Sequence, residues 1–188
     1  DLLANFLKRP MVFYRLNHLK CQKSDLKDVT FLNEDTFIAH KSLINTKEFK
    51  KGCFYVQDYN SALIYKYLDL KDGDHLLDMC SAPGTKLFNC LDQKLKLKVV
   101  ANDLHKTRID LVKSGACHLG FEGLEYLCLD AAKIGDLYPA SFDKILLDAP
   151  CSGLGTLKRK SDLKYHLKGE DLDDLAKIQS GLLDSAAK

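Results

Sequence analysis

"HLLDMCSAPGTKLFNCLDQKLKLKVVANDL", His75 to Leu104, decides the fold. "HLLDMC" is a short apolar run that stops at a turn, "SAPG". From Thr85 to about Leu95 the residues read as a helix. "KVVANDL" (98–104) is a second short apolar run. A strand, a helix and a strand in that order form one crossover unit, the connection that parallel strands require.

The unit repeats downstream. "HKTRIDLVKSGACHL" (105–119) reads as a helix, "LEYLCLD" (124–130) as a strand and "AAKIGDL" (131–137) as a helical segment. "FDKILLDAP" (142–150) is a fourth strand, and its "KILL" suits a strand covered on both faces. "EDLDDLAKIQSGLLDSAAK" (170–188) is an amphipathic helix with acids in its first turn. Upstream the elements are shorter. "MVFYRLN" (11–17) and "TFIAHKSL" read as strands, and "SDLKDV" between them as a short helix. "FYVQDYNSALIYKYLDL" (54–70) takes helical spacing from Ala62, so a helix is predicted to begin near Asn60, with a turn at "KDGD". The expected fold is α/β: a Rossmann-like core with a doubly wound parallel sheet over residues 52–188, and a small α+β subdomain over 1–51.

Composition narrows the function classes. With 188 residues, 46% of them hydrophobic, the chain can bury a real core. No run approaches the ~18 apolar residues that span a bilayer, and "DLLANFLKRP" lacks a signal-peptide pattern, so no membrane role is expected. Seven cysteines (21, 53, 80, 90, 117, 128 and 151) form no C-x-x-C pair. Neither a zinc site nor a disulfide framework is expected from them; free thiols suit a monomer in a reducing cytoplasm. Net charge is +2, but residues 1–51 hold ten lysines and arginines against six acids, a net +4. That excess reads as a solvated surface or as a nucleic-acid footprint.

Each predicted core strand ends in, or just before, an acid: Asp78, Asp103, Asp130 and Asp148. One such acid is an ordinary helix cap. Four in succession face the crevice where an open α/β sheet binds its ligand, and suit one rich in hydroxyls and amino groups. Asp103 stands about 20 residues after the first turn, where an acid bonds a nucleoside ribose. The turn "CSAPGTK" has a single glycine, Gly84, whereas a pyrophosphate needs several. A nucleoside ligand without a pyrophosphate follows; S-adenosyl-L-methionine (SAM) fits and a nicotinamide dinucleotide does not.

"LLDMCSAPGTK", "VVANDLHKTR", "FDKILLDAPCSGLGTLKRKSDLKY" and "LAKIQSGLLDSAAK", with "GCFYVQD" (52–58) before them, resemble in order and spacing the Sun/Fmu (Nop/Sun) family of RNA cytosine-5 methyltransferases. Bacterial members of that family modify small-subunit ribosomal RNA. The resemblance implies SAM held by the turn Cys80, Ser81, Ala82, Pro83, Gly84, Thr85 and Lys86. It also implies Asp103 on the ribose with Arg108 nearby, Asp130 at the adenine end, and Asp148 beside the methionine part and the target base. The chain departs from the family's A-P-G-G-K-T at Thr85 and Leu87, and has Ser161 where a proline is usual. Those changes bear on the subfamily more than on the chemistry.

Methylation at cytosine carbon 5 needs a thiolate added to carbon 6, which makes carbon 5 nucleophilic. Cys151 follows the fourth strand, close to Asp148 and upstream of Lys158, Arg159 and Lys160. The resemblance gives it the release of product and places the attacking thiol on a later motif; in DNA cytosine-5 methyltransferases the Pro-Cys thiol itself attacks, so both roles stay open. Lys86 either reaches the base or merely opens its helix. "LKRKSDLKYH" (157–166) is either a phosphate contact or a solvated loop. A fourth strand left as an apolar edge leads to a further expectation: a sheet cut short, its remaining strands and its nucleophile beyond Lys188. The resemblance implies, in addition, an RNA-binding domain before Asp1. The alternatives are a class I methyltransferase acting on a small molecule or protein, and a catalytically silent RNA-binding module.

Overall fold

The computed structural model describes residues 10–157 and 169–188. Its N-terminal strands are β1 (Phe13–Leu16), β2 (Val29–Phe31), β3 (Thr36–Ala39) and β4 (Phe54–Val56). They form an antiparallel sheet in the order β2-β3-β1-β4. A single helical turn, α1 (Lys47–Lys50), precedes β4 and is capped by Thr46, whose Oγ1 accepts from the Phe49 amide at 3.3 Å. Tyr14, Phe37 and Phe54 pack ring against ring beneath this sheet, with centroids 5.4–5.5 Å apart.

The second sheet holds β5 (His75–Asp78), β6 (Lys98–Asn102), β7 (Leu124–Leu127) and β8 (Lys144–Leu146), all parallel, in the order β7-β6-β5-β8. The chain steps outward from β5 to β7, then returns to the other side of β5. That reversal puts the topological switch point between β5 and β8, as in other doubly wound sheets. Side chains alternate across it. Leu76 and Val99 face α3 (Thr85–Leu91) and α4 (Lys106–Leu119). Leu77 and Val100 face the other layer, α5 (Ile134–Leu137) and α6 (Gly169–Ala186). Ser185 locks α6 down: its Oγ donates to the Ala131 carbonyl at 2.8 Å and accepts from the Gly135 amide at 2.9 Å.

The two sheets meet through an aromatic contact, Tyr55 of β4 edge-on to Phe88 of α3 with centroids 6.3 Å apart, and through buried polar groups. Arg15, 2% exposed, sits 3.1 Å from Asp35 and 3.7 Å from Asp92. The His18 amide donates to Asp92, and the His18 ring lies 2.7 Å from Asp35. Burial pushes the Asp92 carboxyl up to about 6 against the pull of Arg15 and His18. Asn17 donates to the carbonyls of Gly52 and Leu119, both at 2.8 Å.

Several expectations need correction. The helix predicted from Asn60 is a 3₁₀ turn (Ser61–Leu63) and one turn of helix, α2 (Tyr65–Leu68). Asn89 takes the Ala62 carbonyl at 2.7 Å, and Asp69 turns left-handed (φ 45°). α3 ends at Leu91 rather than near Leu95, because the Asp92 side chain is committed to β1 and the residues after it. "SDLKDV" is a 3₁₀ turn (Lys23–Asp25) followed by β2. β4 lies beyond the expected boundary at residue 51 and yet pairs with β1. Cys21 and Cys53 are not free thiols: they form a disulfide, since the β1–β4 pairing brings their Cα atoms to 5.2 Å. Among the described residues no helix is long and apolar enough to cross a membrane.

Candidate active site

The site lies at the carboxyl ends of the parallel strands. Past β5 the chain is pinned between its neighbours. Met79 donates its amide to Leu146 at 3.0 Å, and Ser81 gives both amide and hydroxyl to the Asn102 carbonyl at 2.8 and 2.9 Å. The Asn102 side chain, fully buried, donates to the carbonyls of Met79 and Leu129 and accepts from the Leu129 amide, each at 3.0 Å. It ties together the segments leaving β5, β6 and β7. Sequence reasoning passed over Asn102; its only signal was its place directly before Asp103.

The turn from Cys80 to Lys86 then bends sharply into α3. Ala82–Pro83 is a cis peptide, and Gly84 has φ +105°. A Cβ at Gly84 would lie 2.4 Å from the Phe88 ring, so both the backbone and the space require glycine.

Asp103 closes this turn from β6. It is 4% exposed. Its carboxylate accepts from the Ala82 amide at 3.2 Å and the His105 amide at 3.4 Å, and lies 3.1 Å from Arg108 Nε. Arg108 also donates to the Ala82 carbonyl at 3.3 Å. Asp103 and Arg108, predicted together, are thus one unit with the turn.

Asp78, at the end of β5, is 1% exposed and accepts from the Cys80 amide at 3.3 Å. Burial pushes its carboxyl up to about 8; the amide and Lys86 oppose this, Asp148 and Asp103 add to it. Burial, with Asp78 beside it, raises the Cys80 thiol to about 11. Lys86 on α3 forms an ion pair with Asp148, two residues past β8, across the switch point. Asp78, Asp103, Asp148, Lys86 and Arg108 therefore make one cluster whose carboxylates can accept from hydroxyl or cationic groups.

Asp130 accepts from the Ala132 amide at 3.1 Å and caps the turn after β7, the ordinary reading of such an acid. Cys151 is exposed. The loop before it is held by α6, where Gln179 donates to the Pro150 carbonyl at 2.8 Å. Lys158 to His166, including Ser161, lie outside the described residues.

A family model described as "16S rRNA methyltransferase RsmB/F" matches residues 65–188. The probable ribosomal RNA small subunit methyltransferase B of Bacillus subtilis (strain 168) is 36% identical over 95% of this chain and 43% of its own length. The ribosomal RNA small subunit methyltransferase B of Enterobacter sp. (strain 638) is 31% identical over 95% of this chain and 44% of its own. The chain thus spans less than half the length of these relatives. A methyltransferase homolog protein from Pyrococcus horikoshii superposes with a TM-score of 0.79 at 28% identity, over 97% of this chain and 62% of that one. NSun6 from Pyrococcus horikoshii, at 19% identity, shares the fold with a TM-score of 0.85, over 98% of this chain and 74% of that one. Sheet order, strand-end acids and these matches agree: the chain belongs to the RsmB/F family of 16S rRNA methyltransferases.

Proposed function

We propose that the chain carries the cofactor half of a SAM-dependent transfer of methyl to carbon 5 of a cytosine in small-subunit ribosomal RNA. The observation that carries the reading is Asp103, a buried carboxylate locked by Arg108 and the Ala82 amide at the end of β6, beside a turn with one glycine. Such an acid suits a ribose diol. The donor set fits the rest of the cofactor, because Asp148, its side chain half exposed, offers a carboxylate to cationic groups.

When bound, SAM supplies a methyl group on a sulfonium. The protein's residues do the positioning. Asp103 accepts from the ribose hydroxyls and Arg108 holds Asp103. The turn from Cys80 to Lys86 frames the methionine part, and Asp130 stands at the adenine end. A cytosine unstacked from the RNA comes against Asp148 and Lys86. Asp148 accepts from its amino group. A thiolate would add to carbon 6, opening the C5=C6 double bond, and carbon 5 would take the methyl as its bond to the sulfonium breaks and a neutral thioether leaves. A base then removes the carbon-5 proton, the electron pair re-forms the ring double bond, and the thiolate leaves. Cys151 acts at this last stage, in product release. The names of the relatives support rRNA as the substrate.

The test uses methyl-labelled SAM and unmodified small-subunit rRNA with the full-length protein. Label on cytosine carbon 5, lost together with SAM binding in Asp103→Ala, is the expected result. Label on protein or small molecules but not on RNA would overturn it. Cys151→Ala is expected to accumulate a denaturant-resistant protein–RNA adduct. Loss of the adduct instead would make Cys151 the attacking thiol.

A further inference from the structure

α3 has only seven residues, too few to hold its own direction. It nonetheless carries Lys86 and continues the turn that Asp103 closes. Both of its ends are gripped by the N-terminal sheet. At its start, Gln57 Nε2 donates to the carbonyl of Thr85 at 3.0 Å. Gln57 is itself still laddered to β1, its amide donating to the Phe13 carbonyl at 3.1 Å. At its end, Asp92 receives the His18 amide at 3.1 Å and faces Arg15 at 3.7 Å. Gln57 is 3% exposed, and its Oε1 has no hydrogen-bond partner among the described residues. Leaving a buried oxygen unpaired is costly, so the Thr85 bond is the contact that fixes this amide. The opposite amide orientation would aim oxygen at a carbonyl.

We infer that the N-terminal sheet is a positioning element for the cofactor turn, acting through Gln57 on Thr85 and through Arg15 and His18 on Asp92. Gln57 is the residue at which the device meets the site, because the Thr85 it holds lies between Gly84 and Lys86. This rests on the SAM reading above. Gln57 touches no ligand in it; the residue orients the turn that does.

The experiment measures SAM affinity and thermal midpoint for the unaltered chain, Gln57→Leu and Gln57→Glu, at pH 8 and pH 5.5. The leucine variant cannot donate to Thr85 and is expected to bind SAM about tenfold more weakly at both pH values. The glutamate variant is expected to be about tenfold weaker at pH 8, where an ionised carboxylate faces the Thr85 carbonyl. At pH 5.5 a buried carboxyl takes a proton and can donate, so its affinity should return to within about twofold of the unaltered chain at that pH. A merely structural role would lower the thermal midpoint and leave the SAM affinity of the folded variants unchanged. Wild-type affinity in the glutamate variant at pH 8, or no recovery at pH 5.5 in a folded protein, overturns the inference; should the leucine variant not fold, the glutamate variant decides alone. Failure of the unaltered chain to bind SAM would sink the cofactor reading, and this inference with it.

Discussion

Asp78 carries the sharpest consequence of any single residue. Its carboxyl is pushed up to about 8 by burial, whereas an unfolded chain returns it to about 4. Between those values the folded state holds a proton that the unfolded state has lost. Its contribution to stability is therefore complete at low pH and declines as pH rises toward 8. The thermal midpoint of the cofactor-free chain is expected to fall from pH 5 to pH 8.5, and the slope to flatten in Asp78→Asn. Equal slopes in both proteins would show that other groups set the pH dependence. A cationic ligand favours the ionised carboxylate, so its binding near pH 7 should release a proton. Calorimetry in buffers of different ionisation heat reads that proton directly.

At the scale of elements, the turn between β5 and α3 depends on one ring. Gly84→Ala meets both a left-handed backbone and Phe88, and is expected to cost about 1–3 kcal/mol in denaturant unfolding, with loss of SAM binding. The parallel strands, α4 and α6 were legible because their apolar patterns are strong and their turns well marked. Of the short helices, α5 lies within the predicted segment 131–137 and α3 starts at Thr85 as predicted, but the end of α3 and the shortness of α2 were not legible. α3 stops where His18 and Arg15 claim Asp92, and α2 is one turn long where Asn89 claims Ala62. No local pattern announces a partner so far away in sequence. The same holds inside the site. Asp78, Asp103 and Asp148 could be found because strand ends are identifiable. Asn102 and Gln57 could not, because an amide at the end of a strand looks like any polar boundary residue. The Cys21–Cys53 pair depends on strand register, which cysteine spacing does not report.

Across the whole molecule, charge joins the two sheets alongside the Tyr55–Phe88 contact. Arg15→Met removes the cation between Asp35 and Asp92 and leaves a buried carboxylate without it. A loss of about 3–5 kcal/mol is expected, measured by urea unfolding. Circular dichroism and SAM binding should report one shared transition in the unaltered chain, because Arg15, Asn17 and Gln57 couple the N-terminal sheet to the core. Separate transitions would show that the joint is weaker than its geometry implies. The same joint imposes an order on biosynthesis. All four antiparallel strands come from residues 13–56, so every residue of that sheet is made before Asp92. Arg15 first meets only Asp35, and its second counter-ion arrives with the end of α3. A nascent chain paused between these points exposes a half-matched cation on the face that the core will later cover.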